Sequence, residues 1–151
     1  MDVTYKNAIG NFSLRAAALI IHDNKVLLAK SQDYDCYYTV GGGVRQNESS
    51  DTAVLRECFE ETGCHYEIDR LVFVQERFFQ LNNTNHHEVV FFYLMKDGGF
   101  LIQSGVKTDQ QKEQLFWVPI EELGETNLVP AFLKTVLQDI PKEVTRVVSY
   151  E

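Results

Sequence analysis

The chain has 151 residues and a formal net charge of −8, with 44% hydrophobic and 24% charged residues. That length suffices for one domain with its own core, and the composition is ordinary for a globular protein. The acidity argues against general electrostatic binding to nucleic acid or an anionic membrane, but not against a phosphorylated small molecule, because a bound metal inverts the local field. No apolar run is long enough to span a bilayer, and the opening MDVTYKNAIG lacks the basic-then-apolar layout of a secretory signal. Cys36, Cys58 and Cys64 are odd in number and form no CxxC pair. They read as reduced thiols of a cytoplasmic protein, with neither a disulfide nor a zinc site.

Residues 1–11 read as a polar lead-in. From Phe12 the apolar residues alternate through Leu14, Ala16, Ala18 and Ile20, which predicts a strand. His22–Lys25 reads as a turn and Val26–Ala29 as a second strand, so the two are expected to form a hairpin. A polar loop at Ser31–Asp35 leads to a short strand, Tyr37–Val40. The glycine run Gly41-Gly42-Gly43 then reads as a loop in which the backbone turns sharply or lies close to a ligand.

A helix follows. Ser49 or Ser50 suits its N-cap, Asp51 suits its positive end, and Gly63 suits its stop. At about 100° per residue, Arg56, Glu57, Glu60 and Glu61 fall within an arc of roughly 140°, with Leu55, Cys58 and Phe59 opposite. One face is therefore expected to pack and the other to present carboxylates to one spot. Like charges at Glu57 and Glu61 cost an isolated helix roughly 0.2–0.5 kcal/mol, and Arg56 before Glu60 is the less favourable charge order. A hard divalent cation with oxygen ligands resolves that repulsion. A plain solvated acidic face is the competing reading of the helix taken alone.

Beyond the helix, Tyr66 to Phe79 reads as a strand with a break near Asp69-Arg70. Leu81–Asn85 is an exposed turn, and Glu88–Met95 a continuous apolar strand central in the sheet. Gly98-Gly99 turns the chain, 103–114 is a polar loop, and Leu115–Val118 is a strand stopped by Pro119. A short helix at Ile120–Leu123 and a longer one at Pro130–Asp139 follow. Val144–Tyr150 is an edge strand or a tail for homodimer contacts. With no repeat or linker, the chain reads as a single domain, 1–151, of α+β class with helices packed on a mixed sheet.

The spacing Gly42-x5-Glu48-x7-Arg56-Glu57-(apolar)-x-Glu60-Glu61-x-Gly63-(apolar) has seven fixed positions. At about 7% per residue type, a chance match is roughly 10⁻⁸ per window. The stretch resembles the signature box of the Nudix hydrolase family. Its two apolar slots hold Cys58 and Cys64 where the family more often has Ile, Leu or Val, a change that touches packing and not chemistry. LFWVPIEEL at 115–123 is similar to the strand and short helix near the end of many members.

The resemblance implies an α/β/α sandwich and Mg²⁺- or Mn²⁺-dependent hydrolysis of a pyrophosphate in a nucleoside diphosphate derivative. It implies Glu57, Glu60, Glu61 and the Gly42 carbonyl as metal ligands. It also implies Arg56 orienting Glu48, with Glu60 or Glu61 helping to activate water. A further base outside the box is expected at Glu113, ahead of Glu76 and Glu88. His86-His87 is expected at a loop end, its rings on opposite faces if in a strand and so unable to share an ion. Tyr38, Phe78, Phe79 and Trp117 are candidates for a base-stacking wall. About sixteen positions past the box, near Gln80, the subfamily markers for ADP-ribose, dinucleoside polyphosphate and NADH are all missing. That leaves nucleoside triphosphates, oxidised ones included, or nucleotide sugars. The alternative is a non-catalytic nucleotide sensor of the same fold.

Overall fold

A computed structural model describes residues 1–99, 102–107 and 113–151. The chain forms β1 (Thr4–Lys6), β2 (Asn11–Leu19), β3 (Ile21–His22), β4 (Lys25–Ser31) and β5 (Tyr37–Gly43) before α1 (Ser50–Thr62). It continues through β6 (Ile68–Leu81), β7 (Thr84–Met95), β8 (Val106–Lys107) and β9 (Glu113–Pro119). A 3-10 helix (Ile120–Glu125), α2 (Leu133–Val136) and β10 (Thr145–Tyr150) complete it. The strands make one mixed sheet in the order β10-β6-β7-β2-β5-β4-β9-β8, with β1 added to β2 and β3 to β4.

The period-two alternation of β2 sorts its side chains to two faces. Ala16 and Ala18 face α1, in a core with Val40, Val54, Cys58 and Tyr93. Ala17 and Leu19 face the 3-10 helix and α2, in a core with Phe73, Phe92, Leu123 and Leu133. Helices thus cover both faces of the sheet, which is the expected α/β/α sandwich.

Several local expectations change. Residues 1–11 are not a bare lead-in, because Thr4–Lys6 pairs antiparallel with the start of β2. The first hairpin is confined to β3 and β4, turning on Asp23 and Asn24 at φ +51° and +56°. The body of β2 instead pairs parallel with β7 and antiparallel with β5. Long-range pairing thereby overrides the local hairpin signal, because β2 buries both faces only in the middle of the sheet. The glycine run is strand rather than loop: Gly41, Gly42 and Gly43 pair with Ala17, Ala16 and Arg15.

β6 carries register shifts between Ile68 and Arg70 and between Leu71 and Phe73, so the predicted break is there with a second beside it. The Leu81–Asn85 turn tightens to Asn82-Asn83, both with positive φ. Of the expected 103–114 loop, Val106–Lys107 pairs with β9; residues 108–112 lie outside the described residues. The long last helix is reduced to the four residues of α2. Leu133 and Leu137 still point into the core, and Phe132 packs edge-on against Phe73 and Phe92. β10 is an edge strand, parallel to β6.

Candidate active site

α1 starts after Ser49, whose backbone is extended and whose hydroxyl bonds the side chains of Asp51 and Thr52 rather than a helix N–H. Gly63 ends it in the left-handed conformation, its N–H donating to Phe59 O (2.8 Å). The buried stripe is not the expected one. Leu55 and Phe59 are exposed, and Phe59 stacks on His65. Ala53, Val54 and Cys58 are buried. Their arc is centred on Glu57 and Glu61, so these two carboxylates turn in toward the sheet together with the apolar residues.

β5 makes that possible. A Cβ on Gly42 would lie 2.5–2.7 Å from the carboxyl atoms of Glu57. A Cβ on Gly41 would meet Ala16 O at 2.3 Å, and Gly41 sits at φ +154°. Only glycine lets the strand and the helix carboxylate share this space.

The box residues divide into two groups. Arg56 donates through Nε and Nη2 to the two oxygens of Glu48 (2.8 and 2.9 Å) and through Nη2 to Gly43 O (3.0 Å). Its Nη1 reaches Glu57 Oε1 (2.6 Å) and, less closely, Glu60 (3.3 Å). Arg45 N–H also donates to Glu48 (2.9 Å). The Arg56 guanidinium holds the Glu48 carboxyl down at about 2. Glu60 is the outer member, close to Arg45 as well (3.5 Å).

Glu61 is different. Its Oε2 is buried without a hydrogen-bond partner among the described residues. Burial pushes its carboxyl well above the usual range, and the charges of Glu113 and Glu57 push the same way. Burial also raises Glu57, against the pull of Arg56. Cys58, between them in sequence, has its thiol pushed up to about 12 by burial and behaves as a small hydrophobe.

Beside this cluster opens a cleft of about 500 Å³, lined by Gly41, Gly42, Tyr38 and Glu113 at one end and by Gln75 and Pro130 farther along. Glu113 opens β9, opposite Ser31, rather than lying in a loop. It stands by the Tyr38 hydroxyl, which burial and then Glu113 raise. Glu76 and Glu88 are tied to arginines instead, Glu76 to Arg146 (2.6 Å) and Glu88 to Arg77 (3.4 Å).

Two lining residues escaped the sequence reading. Arg15 on β2 has no hydrogen bond or ion pair among the described residues, while its charge favours ionisation of Glu57 and Glu61. Gln75 on β6 is fully buried. A polar residue on each face of an alternating strand was the available signal, but period two alone does not say which polar residue faces a cleft.

Of the proposed aromatic wall, only Tyr38 lines this cleft. Trp117 donates to Ile102 O (2.6 Å). His86 and His87 sit within β7, not at a loop end, and their rings take different partners: Phe79 for His86, Phe78 and Phe12 for His87. Strand register continues that row through Tyr5 and Tyr150 on the sheet's far end. A second groove of about 580 Å³ lies there, lined by none of the box carboxylates.

Among the described residues, no three His, Cys, Asp or Glu side chains converge closely enough to hold a metal ion. Glu60 is drawn out to its arginines, leaving Glu57 and Glu61 at the glycine strand. The donor chemistry nevertheless fits a hard divalent cation. It offers a buried carboxylate oxygen with no partner, a second carboxylate against the Gly42 backbone, and neighbouring negative charge.

The family model for the NUDIX domain matches residues 12–140. The chain belongs to the Nudix family. A MutT-like protein of Streptomyces ambofaciens is 27% identical to this Nudix chain over 111 residues, covering 73% of the chain and 65% of that protein. Diphosphoinositol polyphosphate phosphohydrolase 3-alpha of Mus musculus is 34% identical over 87 residues, covering 55% and 51%. The chain thus spans about half to two thirds of these relatives' lengths. Among solved structures, a mutator MutT protein from Bacillus halodurans matches with a TM-score of 0.68 at 18% identity, covering 91% of this chain and 89% of that one. A UDP-X diphosphatase matches with a TM-score of 0.61 at 23% identity, covering 95% and 70%. These likenesses establish the Nudix fold. No helix among the described residues is long and apolar enough to cross a membrane.

Proposed function

We propose that the protein is a divalent-metal-dependent hydrolase of the pyrophosphate linkage in a nucleoside diphosphate derivative, its substrate a nucleoside triphosphate or a nucleotide sugar. The observation that carries this is the buried Oε2 of Glu61, without a partner among the described residues, next to a cleft lined by Arg15. A buried carboxylate oxygen without a partner is costly unless a ligand meets it.

Glu57, Glu61 and the Gly42 carbonyl, with Glu60 at the rim, would hold Mg²⁺ or Mn²⁺. When bound, the metal supplies charge neutralisation of phosphate oxygens and a lowered pKa for water. Arg56 keeps Glu48, Glu57 and the Gly43 carbonyl in one fixed arrangement, so the carboxylate face needs little reorganisation. Arg15, which makes no ion pair among the described residues, binds phosphate oxygens from the β2 side. Glu113, lining the cleft beside Tyr38, is the candidate to take the proton from the attacking water. The active unit is the single domain 1–151, working as a soluble cytoplasmic enzyme.

A diphosphoinositol substrate, suggested by the mouse relative's name, fits less well. So dense a polyanion calls for several free cations, and Arg77 in this cleft is already committed to Glu88 and Glu151.

The test is a panel of nucleoside triphosphates, 8-oxo-dGTP, nucleotide sugars, ADP-ribose and dinucleoside polyphosphates, with Mg²⁺ or Mn²⁺ and phosphate and pyrophosphate release as readouts. Turnover on one class, lost with chelator, is expected. Binding without turnover across the panel would replace the enzyme with the nucleotide-sensor reading.

A further inference from the structure

We infer that Gln75 selects the substrate by accepting a hydrogen bond from an N–H or O–H donor on its non-phosphate part; this rests on the nucleotide-cleaving reading above. Gln75 is 0% exposed yet lines the cleft. Its Nε2 donates to Ser149 Oγ on β10 (2.8 Å), which holds the amide in place. Its Oε1 is buried and has no partner among the described residues. An unmet amide oxygen in the buried interior calls for an explanation, and a ligand donor is one.

The register says where that donor lies. Gln75 is opposite Val90 on β7, and Val90 is opposite Arg15 on β2. The three side chains share one face and one line across adjacent strands. Two strand spacings separate Arg15 from Gln75, about 10 Å. A ligand with a phosphate on Arg15 and an organic group on Gln75 bridges that distance, with Val90, Phe92 and Pro130 as apolar surroundings for the organic end. The chemistry required at that end is a hydrogen-bond donor, from either a heterocyclic base or a sugar hydroxyl.

The experiment uses the best panel substrate and two variants of the full chain. Gln75→Met keeps the volume and removes the acceptor. Ser149→Ala removes the structural hydrogen bond and leaves Oε1. Gln75→Met is expected to raise KM roughly 10- to 100-fold with kcat little changed. Its ligand-free Tm should match or exceed that of Ser149→Ala, because both variants lose the bond to Ser149 and only Gln75→Met also loses the buried unsatisfied oxygen. Ser149→Ala is expected to raise KM less than Gln75→Met does, because it loosens the amide but keeps the acceptor. Substrate analogues lacking the base donor or the sugar hydroxyl separate the two sources: the analogue missing the relevant group becomes insensitive to Gln75→Met. An active wild type with an unchanged KM in Gln75→Met overturns the inference, as does insensitivity of neither analogue; a lowered Tm with that unchanged KM would make Gln75 only a tether for β10. A wild type that turns over no panel member overturns the nucleotide reading itself, and this inference with it.

Discussion

The two halves of the α1 carboxylate face are built oppositely. Around Arg56 every charge is answered: Glu48 accepts two guanidinium bonds and a backbone N–H, and Gly43 O takes a third bond from the arginine. Around Glu61 the charge is buried beside Glu57 and Glu113, with one oxygen unanswered. Arg56 and Glu61 both lie on α1, so the difference is not one of helix propensity. The paired half behaves as scaffold. The unpaired half carries a standing electrostatic cost that a cation would remove.

The comparison is tested most severely by activity. Glu61→Gln and Glu60→Gln should each lower turnover by orders of magnitude, about 10²-fold or more, while circular dichroism stays native. Full activity in both variants would end the metal-ligand assignment.

The next largest effect should be on stability and on the paired half alone. Arg56→Met leaves Glu48 half-buried with only the Arg45 N–H to answer it and should cost about 3–5 kcal/mol in urea unfolding. A loss below about 1 kcal/mol would reduce the Arg56 network to a surface ion pair.

The unpaired half should respond with the opposite sign. Glu61→Gln removes a buried charge and should raise the metal-free Tm by roughly 2–4 °C, for about 1 kcal/mol. Mg²⁺ should raise the wild-type Tm and leave the variant unmoved. A metal-free variant less stable than the wild type would mean Glu61 is satisfied in the folded protein.

The smallest difference is in pH. Glu48 is lowered from 4.5 to about 2, so its contribution is present above pH 4.5 and is lost as pH falls from 4.5 toward 2. Glu61 is raised, so its contribution is present below pH 4.5 and is lost as pH rises through its folded value. Metal-free melts of Glu48→Gln and Glu61→Gln against the wild type should therefore diverge at opposite ends of the pH range. Parallel curves would erase the distinction between the two halves.

How legible this was in the sequence depends on how local each feature is. The helix and its Gly63 stop follow from spacing within one turn-and-helix segment, and the approach of Arg56 to Glu48 was an implication of the family resemblance. The face that α1 buries did not follow. The apolar residues Leu55 and Phe59 suggested one side, yet the side-chain-free strand Gly41–Gly43 admits the helix on the side of Ala53 and Glu57. The early hairpin failed for a similar reason: Asp23-Asn24 marked the turn correctly, but β2 finds its partners in β5 and β7, far along the chain.

By itself, then, the sequence determined the α+β class, the family resemblance and the set of carboxylates, because these are written in short-range periodicity and in seven positions of one segment. Only the tertiary structure decided that Glu57 and Glu61 turn inward while Glu60 stays out. It alone set Arg15, Val90 and Gln75 in a line across the cleft. Those facts depend on register between strands distant in the chain and on the space a missing Cβ leaves, and neither leaves a periodic trace along the residues.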